Sequence, residues 1–332
     1  PALLALTAPV ISDVARDAGN TRIGMIDVEI LTDHIAHLRR MDLRYGAGRI
    51  RHQVVQLLHD AATTLLRGSY SDSTGRALLT AVAQSARLAA STAVDVGRHA
   101  LAQRYYIQAL NLAMNAGNRL VAAGIFCNMS ELTILNATGT CCARHAVALA
   151  RAGITVASMA APTLTAHLHA AEARAHALDQ DSSASRAAVL EAERSYERFR
   201  PDGELAWLSF YTEAELAADL GRALRDSGEP ADAILLMNRT LDSYEPWRVR
   251  SRCLVQTDLA AAYLLDGDHE YAAALTRDAL NTAGKVNSSR TVHRIQSLQQ
   301  QMRPLHSVSL MALDEEITGF LRRAQHDEDI TT

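Results

Sequence analysis

A tight turn followed by an alanine-rich helical stretch recurs five times along this 332-residue chain, and that recurrence limits the fold more than any other feature. The turns centre near residues 97, 139, 181, 228 and 267, a spacing of about 40 residues. The first copy is the plainest. Gly97 turns the chain, and Ala102, Tyr106 and Ala109 then fall on one face of a helix at three- and four-residue steps. The helix before it, from about 74 to 96, brings Ala86, Ala89, Ala90 and Ala93 to the contact. The same pattern returns with Leu259, Ala260, Tyr263, Gly267, Asp268, Ala272, Ala279 and Leu280, and again with Leu220, Gly221, Leu224, Gly228, Ala233 and Leu241. Between them, helices near 120–136 and 142–152 make a second pair, and helices near 163–179 and 183–199 a third. The register of these two pairs is left open by one or two residues.

A single helical hairpin cannot bury its own apolar face, so such units stack and need caps at the ends. At the N-terminal end, a helix from about 27 to 45 carries Val28, Ile30, Leu31, Ile35, Leu38 and Met41 at helical spacing and stops at Gly46 and Gly48. A second helix, to about residue 67, follows with Val54, Leu57, Leu58, Ala61 and Leu65. Helices near 288–302 and 310–323, separated by Pro304, stand at the other end. The chain therefore divides into a linker (1–22), an N-terminal capping hairpin (23–70), the repeats (71–286), C-terminal capping helices (287–324) and a disordered tail (325–332).

Composition supports an all-α fold. Hydrophobic residues make up 48% of the chain but aromatics only 5%, and there are just seven prolines. Alanine, the best helix former, dominates the apolar share, and the residues that favour strands are few. The repeat spacings resemble the tetratricopeptide family. That resemblance implies a helical-hairpin repeat array, an α-solenoid, whose first helices line a concave groove.

The formal charge of −4 lacks the basic stripe of a nucleic-acid binder. No apolar run reaches the roughly 18 to 20 residues of a membrane span. Cys127, Cys141, Cys142 and Cys253 fit no zinc spacing and read as reduced, buried thiols of a cytoplasmic protein. Among the motifs of phosphate loops, zinc proteases and serine hydrolases, none occurs, so neither a catalytic residue nor a cofactor is expected.

Counting along the repeats places Gln84, Arg87, Asn128, Glu131, His169, Glu172, His176, Glu215, Arg222, Arg225 and Thr257 in the groove. Side-chain amides there can hold an extended backbone, and arginine can grip a carboxylate with two parallel bonds. His169, Glu172 and His176 stand at metal-ligand spacing on one helix face, as do His34 and His37 three apart on another. Neither set has a visible further ligand, so no metal is assigned. Trp207 and Trp247 read as core or inter-repeat residues, Tyr106 as core and Tyr105 as rim.

Leu38 to Asp42, Arg67 to Asp72 with Gly75 and Arg76, and above all Asp95 to Tyr106 resemble actinobacterial transcriptional regulators. Those proteins have an Xre/Cro-type helix-turn-helix followed by a tetratricopeptide-like regulatory region. The resemblance implies a ligand-sensing and dimerisation region that takes a peptide or small molecule in the groove and forms a homodimer. No helix-turn-helix is found in this chain, and residues 1–22 look like the linker that follows one. DNA contact is therefore expected only through a segment outside these residues. The alternative is a stand-alone scaffold that binds a protein partner.

Overall fold

In the computed structural model, which describes residues 22–137, 139–157, 161–200, 205–305 and 307–331, with side chains through 324, every regular element is helical. The first hairpin is α1 (Met25–Tyr45) and α2 (Ala47–Asp60), the latter ending in a wider turn at Ala61–Leu65. Five hairpins follow: α3 (Asp72–Asp95) with α4 (His99–Asn115), α5 (Arg119–Leu135) with α6 (Thr140–Ala157), and α7 (Pro162–Leu178) with α8 (Ser182–Tyr196) come first. Next are α9 (Glu213–Asp226) with α10 (Pro230–Ser243), and α11 (Val249–Asp266) with α12 (His269–Ala283). The chain finishes with α13 (Ser289–Met302) and α14 (Val308–Thr331). The fold is an all-α helical repeat array.

Local chemistry explains the breaks. Side chains at Ser71, Asn118, Asp181, Asp268 and Ser288 each accept a bond from a backbone N–H in the first turn of the next helix, satisfying donors that have no partner within the helix. Gly97, Gly228 and Gly267 turn their hairpins at φ values of 72°, 84° and 91°, where a side chain is disfavoured. In the third hairpin Gln180 takes the same left-handed conformation, at φ 62°. Within the α3–α4 hairpin the contact is built from small apolar residues: Ala86, Ala89, Ala93, Ala102, Ala109 and Ala113 are all fully or almost fully buried.

The array does not end in two caps. It closes on itself. Helix α1 packs against α11 as well as α3, and α13 reaches α3, so first and last units meet. The backbone N–H of Asn287 donates to the carbonyl of Tyr45 at 2.9 Å, and Gly48 N–H donates to Asn287 at 3.0 Å. Asp95 binds three elements at once, accepting from Ala47 N–H at 2.9 Å, Ser288 Oγ at 2.8 Å and Arg250 Nη1 at 2.9 Å. Arg250 also donates to both oxygens of Asp42, at 3.3 and 2.9 Å. Gly46 makes the approach possible, since a Cβ there would overlap the Asn287 backbone, and its φ of 82° already disfavours one.

Two further expectations change. Helix α14 continues to Thr331, through most of the stretch read as a tail, because neither glycine nor proline interrupts it after Gly319. Tyr105 is buried beside Tyr106, so it is not a rim residue. Of the linker only Arg22 falls among the described residues. No helix among them is long and apolar enough to cross a membrane.

Candidate functional site

Closure converts the expected groove into a central chamber of about 140 Å³. Helix α1 contributes Arg39 and Asp42, α5 Asn128 and Glu131, α7 His167 and Arg174, α9 Glu215, Asp219 and Arg222, α11 Arg250, and α13 Arg290. Tyr106, Tyr211 and Tyr244 fill the corners. The wall thus holds six cations, counting His167, and four carboxylates.

The four carboxylates are engaged. Glu131 faces His167 Nε2 at 3.4 Å. The His167 ring stacks on Tyr211 with centroids 3.9 Å apart, and the Tyr211 hydroxyl donates to Asp219 at 2.9 Å. Arg174 lies 3.9 Å from Glu131 and 3.6 Å from Asp219. Arg222 grips Asp219 and reaches Asp258 at 3.3 Å, while Arg225, at 2.7 Å, and Arg294 share that same Asp258. Arg248 holds Glu215 at 2.9 Å, and Arg250 holds Asp42.

Burial alone would raise these carboxyl pKa values. Instead, His167 holds Glu131 well below the usual range, Arg222 and Arg174 lower Asp219, and Arg294, Arg225 and Arg222 lower Asp258. Burial likewise opposes charge on His167, but Cys127 and Glu131 beside it raise it well above the ordinary histidine value. Asp42 differs: burial pushes it up, and Arg250 only partly offsets that while Asp95 adds to it.

The buried Arg87 and the half-buried Arg39 and Arg290 have no carboxylate at ion-pairing distance among the described residues. Arg87 donates from Nε to Asn128 at 2.6 Å and sits over the Trp207 ring at 4.7 Å. Arg39 sits over Phe210 at 5.0 Å. The Arg290 Nε is buried with no hydrogen-bond partner. Burial lowers the pKa of all three, with neighbouring arginines adding to it, and brings Arg87 to about 10. A single loop before α9 supplies the aromatic contacts, since Trp207, Phe210 and Tyr211 stack on Arg87, Arg39 and His167 in turn.

Ligand atoms of Glu131, His167 and Asp219 lie within 4.8 Å of one another, close enough for one metal ion. The surroundings argue otherwise. Arg174 sits near both carboxylates, Arg222 grips one, and Glu131 beside His167 favours that ring's charged form. A metal would need to displace these charges, so the cluster reads as an ion-pair network.

Of the residues read from the sequence, Asn128, Glu131, Glu215 and Arg222 line the chamber. Gln84 and Arg87 sit directly behind Asn128, and Arg225 reaches the chamber's edge through Asp258. Thr257 is buried and bonds to Cys253 within its own helix. His169, Glu172 and His176 do come together, but away from the chamber. Both histidines contact Glu172, at 3.1 and 3.8 Å, and Glu172 accepts from Arg151 of α6 at 2.6 Å. His167 and Arg174 hold the axial positions on α7 instead. His34 and His37 are exposed, Trp247 packs under Arg248, Cys127 and Cys253 are buried, and Cys141 is exposed rather than buried.

A second concavity, of about 980 Å³, opens on the outer side between α8, α9 and α10. Glu193, Glu197, Glu213 and Glu245 line it, together with Leu216, Leu220 and Leu236.

No protein-family model matches the chain, and no curated protein matches it. Among solved structures, the crystal structure of BtubC (BKLC) from P. vanneervenii is similar over 72% of this chain and 91% of that one, with 14% identity and a TM-score of 0.46. At that distance the likeness carries no functional argument, and the fold stands on the helices described above.

Proposed function

We propose that this chain is the ligand-sensing and dimerisation region of a cytoplasmic transcriptional regulator, and that its central chamber takes a small-molecule signal. The observation that carries this reading is the chamber itself. Polar side chains from seven inner helices, with Ser91 of α3 among them, converge on one cavity that the ring's two ends close together. A cavity of about 140 Å³ is near the size that accepts a single benzene ring, so a small molecule suits it and an extended peptide does not. Binding there bears on the seam, because Arg250 and Asp42 belong both to the chamber wall and to the closure. A ligand preferring the closed ring would shift the array between closed and open forms.

Native mass spectrometry of the purified protein tests the reading. Retention of a small molecule by the wild type, and its loss from Asn128→Ala and Arg222→Ala proteins, is the expected outcome. An empty chamber that no metabolite panel stabilises would overturn it. Sedimentation with and without ligand tests dimerisation.

A second reading has its own observation. The acidic outer groove between α8 and α10 suits a basic protein segment, as a stand-alone scaffold would require. Charge reversal at Glu193 and Glu197 would abolish that partner's binding and leave the chamber's ligand untouched.

A further inference from the structure

The ligand's chemical class follows from the charges that the chamber leaves unanswered. Every carboxylate on the wall already has a cation, and Asp219 has two. Arg39 and Arg290 are the cations that remain. They come from α1 and α13, the helices that meet α11 at the seam. Arg39 has no carboxylate at ion-pairing distance: it lies over the face of Phe210, 5.0 Å away, and the nearby Asp42 is held by Arg250. Arg290 has a buried Nε with no acceptor, and the Nε atoms of Arg174, Arg222 and Arg250 on the same wall are also buried without partners. The excess therefore consists of N–H donors as well as charge. A buried guanidinium without a counter-charge is costly, and an incoming anion is what removes that cost. Neutral ligands would leave it in place, and cationic ones would add to it.

Size narrows the class. A 140 Å³ cavity corresponds to about six to ten non-hydrogen atoms. Planar, forked guanidiniums match the oxygens of carboxylates and phosphates, which they bind with parallel hydrogen bonds. We propose that the chamber binds a small oxyanion, a carboxylate or phosphate compound of that size, with Arg39 and Arg290 as its anchoring cations. The inference rests on the reading of the chamber as a ligand site. It also explains why the two anchors lie on the closing helices: an anion bridging α1 and α13 fastens the ring across its seam.

Inorganic phosphate, succinate and glutarate, titrated calorimetrically at fixed ionic strength in chloride, test this directly. Thermal unfolding is followed in parallel, and a panel of neutral small molecules of similar size serves as the comparison arm. At least one of the three anions should bind saturably and raise the melting temperature by several degrees, while chloride should not. Which anion does so separates the phosphate source from the carboxylate source. A charge-assisted hydrogen bond is worth a factor of roughly ten or more in affinity, so Arg39→Gln and Arg290→Gln should each weaken binding about tenfold or more. Arg290→Lys, which keeps the charge but loses the fork, should fall between wild type and Arg290→Gln. Arg186→Gln, on the outer surface, should bind as the wild type does. Helical circular dichroism shows whether each variant remains folded, and Arg290→Lys keeps the test available if a glutamine variant does not.

Anion binding that survives the Arg39→Gln/Arg290→Gln double variant would overturn the inference, because the ion would then sit elsewhere. If the anions fail and a neutral compound stabilises the wild type but not Asn128→Ala, the chamber is a ligand site of another class, and only this inference falls. Failure of both arms takes the ligand-site reading down with it.

Discussion

The junction between neighbouring hairpins and the junction where the ring closes do the same job by opposite means. Inside the array, α7 meets its neighbours through Leu164, Leu168, Ala170, Ala171 and Ala173, all buried. At the closure, Arg250 holds Asp42 and Asp95, Ser288 and Ala47 bond to Asp95, and Asn287 bonds to two backbone groups across the gap. The first kind of contact is non-directional and forms between units adjacent in sequence. The second joins residues 208 positions apart and depends on a few exact partners. Apolar packing sticks wherever area is buried, whereas a buried ion pair rewards only one geometry and is costly when half made. A polar seam therefore suits a junction that must find one register, or open and close as a unit.

The largest expected effect comes from breaking the seam at its centre. Arg250→Ala leaves Asp42 and Asp95, each about 1% exposed, as uncompensated buried charges. Urea denaturation should show a loss of about 3–5 kcal/mol, the usual result of removing one partner of a buried pair. Leu168→Ala is the apolar counterpart and should cost about 2–5 kcal/mol through a cavity. The two should differ in kind. Hydrogen exchange in Leu168→Ala should rise around α7, while in Arg250→Ala it should rise at Gly48 and Asn287, both outside its own helix. Equal protection at those seam amides in both variants would break the contrast.

Gly46→Ala probes the seam without touching a charge. The new methyl would meet the Asn287 backbone, and the positive φ disfavours it independently. A cost of about 2 kcal/mol is expected in the same urea experiment. A neutral result would mean that the closure tolerates displacement.

Acid separates the axis from the seam by sign. Asp219, Asp258 and Glu131 have folded pKa values below their unfolded ones. Their contribution is complete above the ordinary carboxyl range and is lost as pH falls through about 4 and below. Asp42 has its folded pKa raised, so its contribution is fully present at low pH and lost as pH rises through the raised value. Stability of the wild type should therefore fall on acidification with the slope set by the axial acids. Asp42→Asn should steepen that slope and Asp258→Asn should flatten it, as read from urea midpoints between pH 3 and 7. Matching slopes in the two variants would refute the distinction.

How much of this was legible in the sequence follows the same divide. Hairpin turns show themselves when glycine makes them, as at 97, 228 and 267, and the apolar pattern dates the rest. The third turn is built by Gln180 in a glycine-like conformation, which no residue type advertises. On α7 the sequence spacing points to His169, Glu172 and His176, whereas His167 and Arg174 face the chamber. That helix is buried nearly all round, so it offers no polar stripe to phase it. Arg222 is legible because α9 sits on a firm repeat spacing, whereas Asn128 and Glu131 reach the chamber from α5, whose register the sequence leaves open by one or two residues. Closure itself left no local mark, since nothing near Asp42 points to Arg250. Arg39 and Arg290 leave no mark for the same reason: both lie in terminal helices that the sequence pattern reads as caps.

The smallest expected effect belongs to a contact that resembles the seam in composition but not in setting. Arg186 on α8 pairs with Glu229 and Asp232 of the next hairpin at 2.9 and 3.1 Å, with all three side chains between a third and just over half exposed. Water already solvates these charges, and holding long side chains in place costs entropy. Arg186→Ala should therefore lower stability by less than about 1 kcal/mol, and added salt should shrink even that. If it cost as much as Arg250→Ala, charge pairing as such would hold this array together. The smaller cost expected here means that burial is what turns an arginine and two carboxylates into a closure.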